Sequence, residues 1–421
     1  MTGIVESDSG PGAQPVHIAE SAAGWRAVPA GIWALGFVSM FMDISSEMIH
    51  ALLPIYLVTV LGTSTLTVGF IEGIAEATGQ ITKIFSGVLS DRLGRRKALA
   101  AVGYGLAACT KPIFPVASVV GWIVAARFID RLGKGIRGAP RDALVADLSP
   151  QHLRGASFGL RQSLDTIGAF LGPLIAIALM WLTANHFAAV FWFAVLPAFV
   201  SFGLIVFAVH EPASREAAPS LGQSPSFAEL GSVGPACWYV IAVGAVFTLA
   251  RFSEAFLVLR AQSIGLPLML VPAVLVVMNI AYALSAYPAG VLSDRMDRTT
   301  VLAVGLCVLV SADLVLGLAS GVASVGAGVL LWGLHMGFTQ GLFPALVADT
   351  ALPDRRGTAF GLFNLVSGLA QLCASVIAGA FWDALGPQST FSAGAAFAIL
   401  ALIALLSVRK RLPRPSATTG T

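Results

Sequence analysis

Charge is scarce in this chain. Asp, Glu, Lys and Arg make up only 11% of 421 residues, while 57% are apolar; a soluble domain carries roughly 25% charged residues. An ordinary water-soluble globule is excluded, and lipid becomes the solvent for most of the surface. Cysteine is equally sparse: Cys109, Cys237, Cys307 and Cys373 stand singly in apolar stretches, without the close pairing of a structural metal site, and read as packing residues. No Gly-x4-Gly-Lys-Ser/Thr loop occurs, and no polar stretch is long enough to house a nucleotide-binding domain, so a nucleotide-driven pump is excluded. No His-Glu-x-x-His pattern is present either, and a non-enzyme is expected. The polar first 28 residues, with Gly10-Pro11-Gly12, lack a basic segment followed by an apolar one, so no cleaved signal peptide is expected.

What is present is apolar length. About twelve runs approach the roughly 20 residues a helix needs to cross hydrocarbon: 31–60, 66–90, 98–116, 119–138, 157–181, 187–209, 235–260, 266–291, 299–319, 322–346, 357–381 and 389–408. Continuous runs of this length mean helices, since barrel strands alternate over about ten residues. The expected fold class is an all-α membrane protein. Most Lys and Arg, including Arg92, Arg95, Arg96 and Lys97 and the pair Arg295 and Arg298, fall on one side, with only Lys111 and Arg260 near the other. By the positive-inside rule the first side is cytoplasmic, and both termini lie there, in a bacterial-type inner membrane. The net charge of +3 reflects this bias and implies no nucleic-acid partner.

The chain is built twice. Gly87-Val88-Leu89-Ser90-Asp91-Arg92 recurs as Gly290-Val291-Leu292-Ser293-Asp294-Arg295, an offset of 203 residues, and Ala143 to Asp147 recurs as Ala345 to Asp349 at 202. Ser46-Glu47 is echoed by Ser253-Glu254 at 207. The expected organisation is a disordered cytoplasmic tail 1–28, an N-terminal bundle 29–210, a Ser/Pro/Ala-rich linker 211–234, a C-terminal bundle 235–408 and a tail 409–421. Two similar halves suit a machine that exposes a central site alternately to each side.

The turn SGVLSDRLGRRK, Ser86 to Lys97, resembles the loop between spans two and three of the major facilitator superfamily in its glycine, aspartate and basic positions. That resemblance implies twelve transmembrane helices in two pseudo-symmetric six-helix bundles. It also implies a conformational latch made by Gly87, Asp91, Arg92, Gly94 and Arg95, echoed by Asp294 and Arg295; in the second copy Asp297 stands where Gly94 stands in the first. An aspartate ending a span there can pair with arginines or cap a neighbouring helix. Gly159, Gly168, Gly172 and Pro173 resemble the fifth-span pattern of proton-coupled efflux members, although Ala176 and Ile177 replace its final glycines. Arg131, Lys134 and Gly135 have the spacing of that group's fourth-span motif, whose arginine is assigned to proton transfer.

Charges inside spans cost about 2.5–3.5 kcal/mol each on insertion scales, so they pair or line a wet cavity. Asp43, Glu47 and His50 share one face of the first span. Glu72, Glu76, Gln80 and Lys83 form a second stripe, the fourth span runs into Arg127, Asp130 and Arg131, and Asp165 pairs with Arg161 at i, i+4. Arg251 and Glu254 stand at i, i+3 in the seventh span, while Lys134 and Arg137 read as solvent-facing. Such carboxylates can carry protons, bind a cation, or sit in structural ion pairs. The expected function is a proton-coupled efflux antiporter for a small molecule, cationic or amphipathic, working as a monomer in the bilayer with the proton gradient as its energy source and no cofactor. A divalent-metal exporter using Asp43, Glu47 and His50, or a proton-coupled nutrient importer, are the alternatives.

Overall fold

A computed structural model describes residues 28–150, 153–211, 234–352 and 356–409. The expected tails and linker therefore lie almost wholly outside the described residues. Among the described residues ten helical stretches are long and apolar enough to cross a bilayer. They are α1 (Ala30–Val60), α3 (Arg96–Val116), α5 (Arg154–Leu182), α6 (Phe187–Phe207), α7 (Pro235–Ser263), α8 (Leu268–Ser293), α9 (Arg298–Leu318), α10 (Val322–Thr350), α11 (Thr358–Leu385) and α12 (Pro387–Val408). Two more, α2 (Thr65–Leu93) and α4 (Val120–Leu148), have 29 residues each, about 43 Å at ~1.5 Å per residue. They are long enough to span but carry too much charge to count as apolar, and that charge belongs to the site described below.

The packing repeats as the sequence does. In the first half α1 packs on α5 and α6, α4 on α2 and α3, and α3 on α6; in the second, α7 packs on α11 and α12, α10 on α8 and α9, and α9 on α12. Each pairing maps onto its counterpart by a shift of six helices, and the two halves meet through α2 with α11 and α5 with α8, pairs that exchange under the same shift. Even the terminal ion pairs repeat: Arg96 bonds Asp147, and Arg298 bonds Asp349. The repeated turns themselves differ. Gly94 ends α2 in the left-handed conformation, φ 62°, donating its N–H to Ser90 O at 3.1 Å, whereas Asp297 starts α9 by accepting from the Thr299 N–H at 3.3 Å. The glycine is needed in one copy and a side-chain cap replaces it in the other. Burial pushes the Asp297 carboxyl up, but hydrogen bonds from Thr299 and the Arg409 guanidinium hold it below the usual carboxylate range.

The end of the bundle that carries these turns is called the basic end here. At the far end the halves touch closely. The Asp383 carboxylate of α11 accepts from the Thr65 N–H at 3.1 Å and the Leu66 N–H at 2.9 Å, capping the first turn of α2 across the interface. A Cβ on Gly69 would stand 2.1 Å from Ser375 O, and one on Gly379 2.5 Å from Thr65 O. Toward the basic end the same helices separate: a Cβ on Gly368 would meet the nearest atom, Gln80 Cβ, at 3.4 Å, and one on Gly361 only the Ile84 side chain at 3.6 Å. The wedge between the halves thus closes at the far end.

Two departures from the sequence expectation bear on the site. The fourth span, expected to end at 138, continues as helix to Leu148 with Pro140 inside it, which keeps Arg137 and Arg141 on the helix. The seventh span is broken: residues 251–253 are not helical, so Arg251 and Glu254 do not share a helical face, and no ion pair joins them among the described residues. Irregular backbone at membrane depth is tolerated where it lines a cavity, and this break does.

Candidate functional site

Small residues bring the charged helices together. α4 lies against α2 because Gly135 leaves no room for more: a Cβ there would be 2.5 Å from Thr82 Cβ. It lies against α3 at Gly103 and Gly133, each of whose Cβ would be 2.6 Å from the other's carbonyl oxygen. α2 and α4 run in the same direction, so stripes of equal spacing form a ladder. Arg127 donates to Glu72 at 2.8 Å, and one turn on Arg131 meets Glu76 at 3.2 Å. The upper rung is dry, with Arg127 2% and Glu72 1% exposed; the lower rung reaches the cavity through Glu76, 36% exposed.

His50 connects α1 to this ladder. Its Nδ1 is 3.4 Å from Glu47 Oε2 and its Nε2 3.7 Å from Glu72 Oε2, which places one imidazole between a cavity-facing and a buried carboxylate. Behind it, Asp130 does not face the cavity: it accepts from Lys111 at 2.8 Å, and Lys111 also donates to Ser46 at 3.0 Å, tying α1, α3 and α4 together. Lys111 is thus fully buried instead of sitting at the membrane surface. Arg260, the other cation assigned to the far side, is also internal, donating to the carbonyls of Leu316, Gly317 and Ala319.

A second network lies nearer the basic end. Arg161 donates to Asp165 at 2.6 Å, and Arg141 stands 3.8 Å from Asp165 and donates to Ser39 at 3.1 Å. Asp43 faces this part of the cavity without an ion pair among the described residues. The fifth-span glycines explain its position. A Cβ on Gly168 would meet Met40 O at 2.6 Å, and one on Gly172 would meet Glu47 Cβ at 2.7 Å, so these two let α5 press on the charged face of α1. Gly159 has open space around it and takes no part in that contact; Pro173 is buried within α5.

The C-terminal half supplies a different wall. The broken segment of α7 presents Arg251, Phe252, Ser253 and Glu254, and Phe247, Phe343 and Phe363 stand beside it with ring pairs at 4.7 Å and 6.4 Å, nearly parallel. Together the halves enclose a cavity of about 670 Å³. It continues into a lobe of about 410 Å³ toward Asp43 and Arg141, the two sharing Glu47, Glu76, Gln80, Lys83, Arg131 and Lys134. Lys134 and Arg137 therefore line the cavity and do not simply face solvent; Arg137 also packs over the Tyr104 ring at 4.7 Å. The signal was legible as a single stripe, residues 127, 130, 131, 134, 137 and 141, that runs on through Pro140. The wall of Phe247, Phe343 and Phe363 left no such stripe, since its rings come from three different helices.

Among the described residues no group of three or more His, Cys, Asp or Glu could hold a metal ion. His50 faces Glu47 and Glu72, whereas Asp43 faces the second lobe, so the first-span trio is not a ligand set. The side chains of Asp91, Arg92, Asp294 and Arg295 lie outside the described residues; Gly87 packs loosely, its Cβ position 3.5 Å from Ala139, and Arg95 is exposed just before α3. Gly155-Ala156-Ser157-Phe158-Gly159 has the spacing of a hydrolase nucleophile elbow, but it is continuous helix, and Ser157 Oγ is buried without a hydrogen-bond partner.

Known proteins decide the family. The Major Facilitator Superfamily model matches residues 35–372 and 257–421. The chain belongs to the Major Facilitator Superfamily. Its twelve helices in two pseudo-symmetric six-helix bundles are that superfamily's fold, and the protein is a multi-pass membrane transporter. An uncharacterized MFS-type transporter of Methanocaldococcus jannaschii is 31% identical over 393 residues, 91% of this chain and 96% of the relative. A multidrug resistance protein, MdtH, of Photorhabdus laumondii is 31% identical over 170 residues, 38% of this chain and 39% of the relative. The crystal structure of a POT family transporter in complex with a thioalcohol-conjugated peptide superposes with a TM-score of 0.75 at 14% identity, covering 92% of this chain and 99% of that one. That likeness shows the fold.

Proposed function

We propose that this transporter exports a small organic molecule across the inner membrane in exchange for protons, by alternating access. The observation that carries the proton reading is His50, set between cavity-facing Glu47 and buried Glu72, with Arg127 and Arg131 on the next helix and Glu254 across the cavity. Each acid of the ladder has a cationic partner, so a proton taken by one frees its partner to move. Arg131, released from Glu76, can then turn to a substrate in the cavity. No cofactor is required: one proton entering contributes about 2.3 kcal/mol per 100 mV of membrane potential.

The basic end is read as cytoplasmic because its turns carry the Lys and Arg excess, and Lys111 and Arg260, the two apparent exceptions, are held inside the protein. The wedge then faces the cytoplasm, the loading side of an exporter. Likeness to MdtH over its matched third supports export. Asp91, Arg92, Gly94 and Arg95, with Asp294 and Arg295, are assigned to the latch that closes the basic end when the far end opens. A monomer suffices, since both cavity walls come from one chain.

The test is Glu47→Gln in proteoliposomes carrying an imposed pH gradient and a mixed panel of small organic compounds. Wild-type protein accumulates a panel member against its gradient, and the variant loses about a hundredfold or more of that rate, the scale on which a positioned proton-transfer group acts. Undiminished pH-driven transport by the variant removes Glu47 from the coupling path.

A further inference from the structure

We infer that the substrate is an amphipathic organic anion: an acidic head held between Lys134 and Arg251, and a flat apolar body laid on the Phe247, Phe343 and Phe363 wall. The inference rests on the transport reading above and names its substrate class. Of the two expectations, a cationic or an amphipathic substrate, it keeps the second and replaces the first.

Charge balance carries the argument. Around the whole cavity the cations Lys83, Arg131, Lys134, Arg137, Arg141 and Arg251 outnumber the carboxylates Asp43, Glu47, Glu76, Asp165 and Glu254 by one, before any charge on His50. Pairing shows which cations are left over, with Asp142 beside the cavity taking Arg141 at 3.2 Å. Glu76 is engaged by Arg131, Asp165 by Arg161 and Arg141, and Glu47 by His50. Lys83, Lys134 and Arg251 have no ion pair or hydrogen bond from their side chains among the described residues. Lys83 and Lys134 stand on the N-terminal wall and Arg251 on the C-terminal one, so a single acidic group between the halves meets cations from both.

Two further observations point to a ligand. Arg131 Nε and Ser367 Oγ belong to side chains lining the cavity and are buried without hydrogen-bond partners, and Ser367 is joined by the amides of Gln340, Asn364 and Gln371. Unsatisfied donors at a cavity wall are groups a polar substrate can complete. The three near-parallel rings match a planar apolar body. Rings also attract cations, but a cation here would lie among Lys134, Lys83 and Arg251, and like charges in a low-dielectric cavity repel strongly. Asp43 and Glu254, the cavity acids without ion pairs among the described residues, remain available for protons.

The experiment is equilibrium binding to full-length protein in nanodiscs, with no gradient present, so that its outcome is independent of proton coupling. The probes share one ring system and differ in charge: naphthalene-2-sulfonate, naphthalene-2-sulfonamide and naphthalen-2-ylmethyl-trimethylammonium. Ligand binding raises melting temperature by mass action. The sulfonate stabilises the protein, and the ammonium probe does not. Arg251→Gln and Lys134→Gln each weaken sulfonate binding by about tenfold or more, the range for a hydrogen bond to a charged group. Arg251→Lys retains more affinity than Arg251→Gln. Neither position is ion-paired among the described residues, so the variants keep their fold, and an unchanged melting temperature without ligand confirms it. Stabilisation by the ammonium probe, no stabilisation by the sulfonate at millimolar concentration, or wild-type sulfonate affinity in both glutamine variants overturns the assignment.

Discussion

Arg127→Met destabilises the protein by about 3–5 kcal/mol, the cost of leaving one member of a buried ion pair alone. The pair is Arg127 with Glu72, at 2.8 Å and almost fully buried. Glu72 Oε1 and Arg127 Nε have no partner of their own, so the pair does not recover its full desolvation cost, and replacing both members with apolar groups of similar size is tolerated far better than replacing one. Glu72→Met combined with Arg127→Met is therefore expected to regain most of the lost stability while removing the carboxylate that His50 faces. Thermal unfolding in nanodiscs measures the first effect and proton-driven flux the second. Equal instability of the single and double variants would mean that lost packing, and not the stranded charge, sets the cost.

Gly69→Val shifts the conformation instead of the fold. Its Cβ would lie 2.1 Å from Ser375 O and 2.9 Å from Ser375 C, backbone atoms that cannot rotate away. The clash falls between the halves, α2 against α11, so each half keeps its own packing and only the far-end closure is penalised. Overpacking of this kind costs about 1–3 kcal/mol, and one to two kcal/mol is a factor of roughly 5–30 in a two-state ratio. Spin labels at the exposed Val60 and Leu385, both at the far end, are expected to report a longer distance in the variant than in the wild type. The same distance in both would mean that the interface yields by local adjustment and does not gate access.

The twelve helices and their duplication were legible because spanning length and a 203-residue offset are one-dimensional properties. Even so, α2 and α4 would fail a search for apolar length alone, since the charge that builds the site lowers their hydropathy. Arg161 with Asp165 was readable because the two lie one turn apart on one helix. Glu72 with Arg127 was not, because they are 55 residues apart and meet only through the register that Gly135 and Thr82 set between two helices. The break at 251–253 left no strong signature: neither glycine nor proline stands there, and the backbone unwinds where the cavity replaces a neighbouring helix. Lys134 looked solvent-facing because its helix was expected to end at 138, and extending α4 to Leu148 turns that stripe into a cavity wall. The substrate charge changed sign for the same reason. The acids were visible as stripes, whereas which of them were already neutralised depended on contacts between helices.

The central claim is that substrate and protons cross in opposite directions, and the most direct measurement is luminal pH in proteoliposomes loaded with naphthalene-2-sulfonate and a pH dye, then diluted into sulfonate-free buffer. The sulfonate stays ionised and does not itself carry protons through lipid. Outward movement of the anion through an exchanger draws protons inward, and with potassium and valinomycin carrying the two compensating charges per cycle the lumen acidifies, a change that Glu47→Gln abolishes. A lumen that becomes more alkaline, or sulfonate that leaves with no pH change, would contradict the account.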